Sequence, residues 1–378
     1  MPYGDPRSTI SLLDLPPEII GNIVSHVSDD QELLWNSWHE EPSTGLIDLY
    51  QQTYQTLSRT CHYLRGVALS RLSNVATVLF KSRHDYQEAR VQSTLQALEA
   101  AKRSSGSDKV SVINVIVCFL EPEPPLDTKS LPEGFIQKLC YRLVHEIKPK
   151  YLTIIFPSQL FPFLSSSGQH DMISPHDGWA FDMPLHVVHL SCQQSYAQSE
   201  AESLWDQPWS MVTLNEGSFL KAYSTYDFHT KRNPSIFLDT RFCKNVIKNM
   251  WSVTVREFEY VAIFPLTVHL KRILQQLGLL TNLRTLSTRL APHENSSILL
   301  DMAKVRKAQF RDLWSSVEEN YASIVDYVLI MREKHHLRTF KALDCVHLHV
   351  YESLYPMMQQ RLQDCDIETI PDLSKNDS

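Results

Sequence analysis

Glycine is scarce. Only ten occur in 378 residues, and none falls into Gly-x-Gly-x-x-Gly, Gly-x-x-x-x-Gly-Lys-Ser/Thr or Gly-x-Ser-x-Gly. The chain therefore offers neither a phosphate-cradling loop nor the strained elbow that presents a hydrolase serine. Cysteine pairs are missing as well: seven cysteines stand singly at 61, 118, 140, 192, 243, 345 and 365. Their odd number, and settings such as VIVCFL, predict buried reduced thiols rather than disulfides. No Lys/Arg-rich run interrupts a net charge of -7, so no nucleic-acid surface is expected. The longest apolar runs, VINVIVCFL and YVAIFPL, fall far short of the roughly 20 residues of a membrane span. MPYGDPRST carries no apolar leader core, so a cytoplasmic or nuclear location is expected and no membrane partner.

What is present points to a packed core. Apolar residues make up 43% of the chain and aromatics 10%, too much for a disordered polymer. The length suits one large domain, or a small module joined to a larger body.

Sixteen histidines invite a metal reading. His347 and His349 would share one face if they lay on a strand, and His186 and His189 are close in sequence. No cysteine or carboxylate joins either pair at a ligand spacing, so a surface or core role is the expectation. The loop residues His170, Asp171, His176 and Asp177 are weighed the same way. Asp29, Asp30, Glu32, Glu40 and Glu41 form an acidic cluster without an acid/base partner and read as a solvated rim. No catalytic residue, metal or cofactor is assigned, and the chain is not expected to be an enzyme.

The most specific stretch lies near the N-terminus. ISLLDLPPEIIGNIVSHV opens with Leu-x-x-Leu-Pro-x-Glu, and GLIDLYQQTYQTLSRTCHYLRGVAL follows after an interruption. Pro16 and Pro17 suit the first turn of a helix, where a missing N–H costs nothing. Asp14 can cap that helix and Glu18 complements its dipole. Ile19, Ile20, Ile23, Val24 and Val27 then form one stripe. In the second segment Leu46, Tyr50, Tyr54, Leu57, Cys61, Leu64 and Ala68 recur at steps of three and four. An ordinary helical hairpin accounts for these patterns. Two short amphipathic helices bury little alone, however, and a leftover apolar face wants a partner.

Leu12, Leu15, Pro16, Glu18, Ile19, Ile23, Leu57, Cys61 and Leu64 together resemble the F-box. That family docks on the Skp-type adaptor of a cullin ubiquitin ligase. The resemblance implies an all-α module over residues 1–75, with those nine residues contacting the adaptor. It departs from the family pattern at DDQELLWNSWHEEPSTG, which is longer than the usual inter-helix turn and carries Trp35 and Trp38. The layout as a whole looks like that of fungal F-box proteins.

Residues 76–365 read as an α/β body, with an acidic disordered tail at 366–378. Strands are expected at Val110 to Leu120, 151–156, 184–192, 257–264 and 280–290. Helices are expected at Gln87 to Lys102, Phe135 to Ile147, Leu266 to Leu277 and Met302 to Arg332. Gly278 is placed to end the third of these. The stretch 191–250 has mixed periodicity and yields no elements.

The segment Phe258 to Leu283 is one strand–helix–turn unit of about 25 residues, and Leu280, Leu283 and Leu286 repeat at the entry to the next strand. HLRTFKALDCVHL at 336–348 looks like a degenerate second copy. An irregular leucine-rich-repeat-like body and a single α/β domain with recurring parallel strands both fit. The resemblance implies a substrate receptor that holds the adaptor at one end and an unknown protein substrate at the other. A stand-alone interaction scaffold and an enzyme of unrecognised type are the rival readings.

Overall fold

In the computed structural model the described residues form one sheet of nine strands, in which each strand lies beside the next in sequence from β1 to β9. The residues described are 15, 16, 18–20, 23, 40–42, 56–62, 64, 65, 75–80, 92, 93, 95, 96, 114–119, 139, 141, 142, 145, 147–160, 184–192, 204–225, 233–293, 296–334, 337–346, 348–362, 368 and 369. The strands are β1 (Val75–Phe80), β2 (Asn114–Phe119), β3 (Tyr151–Phe156), β4 (His186–Ser191), β5 (Met211–Ser218), β6 (Glu257–Ile263), β7 (Thr285–Arg289), β8 (Thr339–Ala342) and β9 (Glu368–Thr369). β4 runs antiparallel to both neighbours, and every other pair is parallel. The mixed α/β class expected for residues 76–365 is what is found.

Cross-strand rows assign the two faces. Val78, Val117, Ile154, Val188, Leu214, Tyr260, Thr288 and Ala342 lie in one row. All but Thr288 belong to the main hydrophobic cluster, which also contains the buried helix residues. That face is the core. The continuous β-branched runs of β2, β3 and β4 are buried on both sides, as strands of a covered parallel sheet must be.

Helices of the described residues pack on the core face. α1 joins the turn Thr240–Phe242, a wide π segment Cys243–Trp251 and the turn Ser252–Thr254. α2 spans Thr267–Leu277, α3 Met302–Val305, α4 Phe310–Lys334 and α5 Leu348–Leu362. In α2 the stripe Leu266, Leu270, Ile273, Leu274 and Leu277 is buried as the periodicity predicts. Gly278 ends the helix at a right-handed φ of −59°, so its position matches expectation although no left-handed turn is used.

Two expected elements are corrected. Met302 to Arg332 is not one helix: Asp301 caps the Ala303 N–H at 2.9 Å, and Arg306 turns into the left-handed region at φ 48°. The guanidinium of Arg306 donates to the Ala303 carbonyl and closes that turn, so α4 starts afresh at Phe310. The strand-like reading of 336–348 holds only for 339–342, and His349 lies in α5. His347, Cys140, Cys365 and the 165–183 loop lie outside the described residues. Glu368–Thr369, inside the expected tail, pair with β8.

The stretch that resisted sequence reading supplies much of the core. Trp205 meets Phe242 edge-on at 5.1 Å and Phe242 meets Trp251 at 5.4 Å. Phe237 lies 5.1 Å from Phe258 of β6. Trp209 is also fully buried, and its indole N–H donates to the Leu204 carbonyl. Phe242, Val246, Ile247 and Trp251 point inward at a spacing wider than 3.6 residues. The π turn satisfies that spacing. Four of the described cysteines, Cys118, Cys192, Cys243 and Cys345, are buried free thiols, as expected.

One irregularity positions the polar chemistry below. β5 bulges between Asn215 and Ser218, with Gly217 at φ +72°. A side chain there would sit 2.6 Å from the Pro184 Cβ. Gly217→Ala is therefore expected to cost about 1–3 kcal/mol through left-handed strain alone, and more through the clash. Urea unfolding should show a lower midpoint at an unchanged slope.

Candidate functional site

Polar side chains concentrate on the sheet face opposite the main core. One row there runs Thr77, Ile116, Thr153, His189, Thr213, Glu259, Ser287, Lys341 across eight strands. From Thr153 onward it is entirely polar. Thr153 Oγ1 and His189 Nδ1 share a hydrogen bond of 2.9 Å, and the Thr213 hydroxyl donates to Glu259 Oε2 at 3.1 Å. Tyr151 stacks on the His189 ring at 5.8 Å, and the Lys150 ammonium lies over the Tyr151 ring, 5.1 Å from its centroid. The next row runs Leu79, Cys118, Ile155, Val187, Asn215, Val261, Arg289. Its first four residues, with Ile116 and Leu185, make a small second apolar cluster that includes no described helix residue. Among the described residues, this face is therefore apolar at the β1 side and hydrogen-bonding from β4 to β8. Thr153, His189, Thr213 and Glu259 of the polar row are buried, and Ser287 and Lys341 are half-buried.

A second polar cluster lies inside the core. The bulge sends Glu216 under α2, where its Oε2 accepts from the Tyr260 hydroxyl at 2.7 Å and from His269 Nε2 at 2.7 Å. Burial raises the Glu216 carboxyl, but the His269 charge and hydrogen bond outweigh it, helped by His186 and Ser235. The net position is below the usual carboxylate range. Burial, with the Glu216 charge, pushes the Tyr260 hydroxyl up. At the far side Asp344 accepts from the Leu290 and Ala291 N–H groups and from the Tyr321 hydroxyl at 2.5 Å. Both carboxylates are fully buried and answered by several donors, which is how a folded chain tolerates such charges. They tie α2 and α4 to the sheet, and nothing about them requires a substrate.

The residues expected to dock on the adaptor fall into short pieces near the N-terminus. Ile19 and Ile20 N–H groups donate to the Pro16 carbonyl at 3.0 and 3.1 Å, so the helix starts at the proline as its chemistry predicts. Ile20 is buried, yet the adjacent Ile19 is 45% exposed. Pro16 and Glu18 are exposed, and Leu15 and Ile23 half-buried. Leu57, Cys61 and Leu64 are half-buried on the second segment. There the Leu64 N–H points at Cys61 Sγ, 3.4 Å away, and the Arg65 N–H bonds the Cys61 carbonyl. Leu12, Asp14, Trp35 and Trp38 lie outside the described residues.

One expectation fails. Glu40 and Glu41 are not a solvated rim. Asn215 Nδ2 donates to the Glu40 carbonyl at 2.7 Å, Glu41 pairs with Lys304 of α3, and Pro42 is buried. Sequence reasoning missed Asn215, Arg289 and Lys304 altogether. They lie on different elements, and no local spacing links them.

Among the described residues no group of three His, Cys, Asp or Glu side chains stands ready for a metal ion. His186 and His189 sit on opposite faces of β4, because side chains alternate along a strand. No described helix is long and apolar enough to cross a membrane. No family model matches the chain, and neither a curated protein nor a solved structure is significantly similar to it.

Burial holds His186 and His189 neutral, with pKa values lowered to about 4. Nearby carboxylates, Glu216 and Glu259 respectively, oppose the shift without reversing it. Between the unfolded value near 6.5 and about 4, the unfolded chain binds more protons than the folded one. Stability is thus present in full above pH 6.5 and falls as the pH drops toward 4, by on the order of 3 kcal/mol per histidine. Urea midpoints measured between pH 7.5 and 4 should decline, and His189→Gln should flatten the slope.

Proposed function

We propose that the chain is the substrate receptor of a cullin ubiquitin ligase, docking its N-terminal helical module on a Skp-type adaptor. The observation that carries the reading is the pair Ile19 and Ile20: successive residues of one helical turn, one exposed at 45% and one buried. With Pro16 and Glu18 also exposed, the first turn keeps part of its apolar surface free behind a Leu-Pro entry. An exposed isoleucine flanked by proline and carboxylate is the chemistry of a docking edge. Leu57, Cys61 and Leu64 would extend it.

In this reading the body holds the substrate. Its strands follow one another across the sheet in sequence order, as in an irregular leucine-rich-repeat-like array. Ser287 and Lys341, the half-buried members of the polar row, lie on the face away from the main core. A receptor of this kind breaks and makes no bonds itself. It raises the concentration of a substrate lysine near the conjugating enzyme.

A second reading is favoured by the contact of residues 40–42 with the body through Asn215 and Lys304. There the N-terminal residues belong to a stand-alone interaction scaffold and meet no adaptor. Gel filtration with purified Skp-type adaptor separates the two. The receptor gives a one-to-one complex, which Leu15→Ala/Pro16→Ala weakens at least tenfold while circular dichroism stays unchanged. Absence of any complex with the wild-type chain would falsify the receptor reading in favour of the scaffold.

A further inference from the structure

The open ends of β5, β6 and β7 hold an unsatisfied cation. Arg289, the last residue of β7, is only 7% exposed, and its Nε and Nη1 have no hydrogen-bond partner. A buried guanidinium with two donors unanswered is costly, and such donors call for an acceptor. Arg289 stands in the same cross-strand row as Asn215, with Val261 between them. The two are thus about 10 Å apart along the sheet, on the face away from the main core.

A segment of this chain already lies at one end of that row. Asn215 binds the Glu40 carbonyl, a main-chain contact that any extended peptide can make. The Glu41 carboxylate meets the Lys304 ammonium, a side-chain contact that demands an anion. Pro42 is buried beside them. Lys304 is held in place because α3 packs on the one-turn helix Leu220–Tyr223, which follows β5. Asn215 is pre-set too: its Oδ1 accepts the Gly217 N–H at 2.8 Å, which leaves Nδ2 directed at the peptide. The arrangement therefore combines a backbone clamp, one engaged cation and a second, buried cation with open donors.

We propose that this rim is a binding site for an acidic peptide segment of a protein partner, and that Glu40-Glu41-Pro42 is its resident occupant within the chain. The assignment rests on the receptor reading only in identifying that partner with the ligase substrate. Arg289 has donors for a second carboxylate that the resident segment leaves unanswered. A partner peptide with acidic residues reaching both Lys304 and Arg289 gains a contact that the resident segment lacks. It must do so to compete, because a tethered segment acts at an effective concentration in the millimolar range. The same tether keeps weakly acidic sequences out, which is a selectivity device as well as a restraint.

The test uses the full chain and a fluorescein-labelled peptide spanning residues 38–44, read by fluorescence anisotropy without adaptor present. The wild-type chain should bind it weakly. Glu41→Ala, which loosens the resident segment, should bind it about tenfold more tightly. Adding Lys304→Ala should remove that gain, and a peptide with both glutamates changed to glutamine should not bind. Arg289→Gln serves as a second variant, with Lys304→Ala the decisive one if the buried change unfolds the chain. Equal affinity of wild type and Glu41→Ala overturns the proposal, and so does undiminished binding by Glu41→Ala/Lys304→Ala or to the glutamine peptide. Glu41→Ala should still form the one-to-one adaptor complex. Peptide binding without adaptor binding sinks the receptor reading and leaves this site standing.

Discussion

The bulge in β5 turns on a single close approach, in which the Gly217 backbone lies against Pro184 with no room for a Cβ and at a φ that only glycine adopts freely. Asn215 and Glu216 stand on either side of the sheet at that point. Glu216 enters the core, where Tyr260 and His269 bond its carboxylate. Asn215 faces the other way, stapled to the Gly217 N–H, and holds the Glu40 carbonyl. One irregular residue thus couples the anchoring of α2 to the placement of the peptide clamp.

The two faces of the sheet divide labour by their chemistry. One is a ladder of aliphatic and aromatic side chains from Val78 to Ala342, sealed by α1, α2, α4 and α5. Burying that much apolar surface provides the stability that lets the structure keep strained or polar features elsewhere. Phe264 is one such feature, with φ at 52°, kept in place by its N–H bond to the Leu290 carbonyl and its edge contact with Trp314. The other face carries hydrogen-bonding side chains from Thr153 to Lys341.

Elements with a strong local signal were readable in advance. NVIVCF, YLTIIF and HVVHLS are β-branched runs that no amphipathic helix accommodates, and α2 shows its apolar stripe plainly. β5, MVTLNEGS, was not readable. Its polar half is buried, because Glu216 and Asn215 find partners far away in sequence. α1 was missed although its apolar residues gather on one face as clearly as those of α2. Trp205 and Trp209 sit among polar residues, and only the tertiary packing shows that they belong to the core.

The candidate sites split along the same line. The Leu-Pro-Pro-Glu entry is visible in the chain because proline, a cap and an apolar stripe act within one or two helical turns. So is the burial of Cys118, which sits within an aliphatic strand. The cation rim was invisible. Asn215, Arg289 and Lys304 sit on β5, β7 and α3; Glu40 reaches Asn215 across 175 residues and Glu41 reaches Lys304 across 263. Local interactions decay within a few residues along the sequence, so they settle element type and helix entry. Charges that meet only after the sheet is assembled are decided by the tertiary structure, and here they turn an apparently solvated acidic run into a docked one.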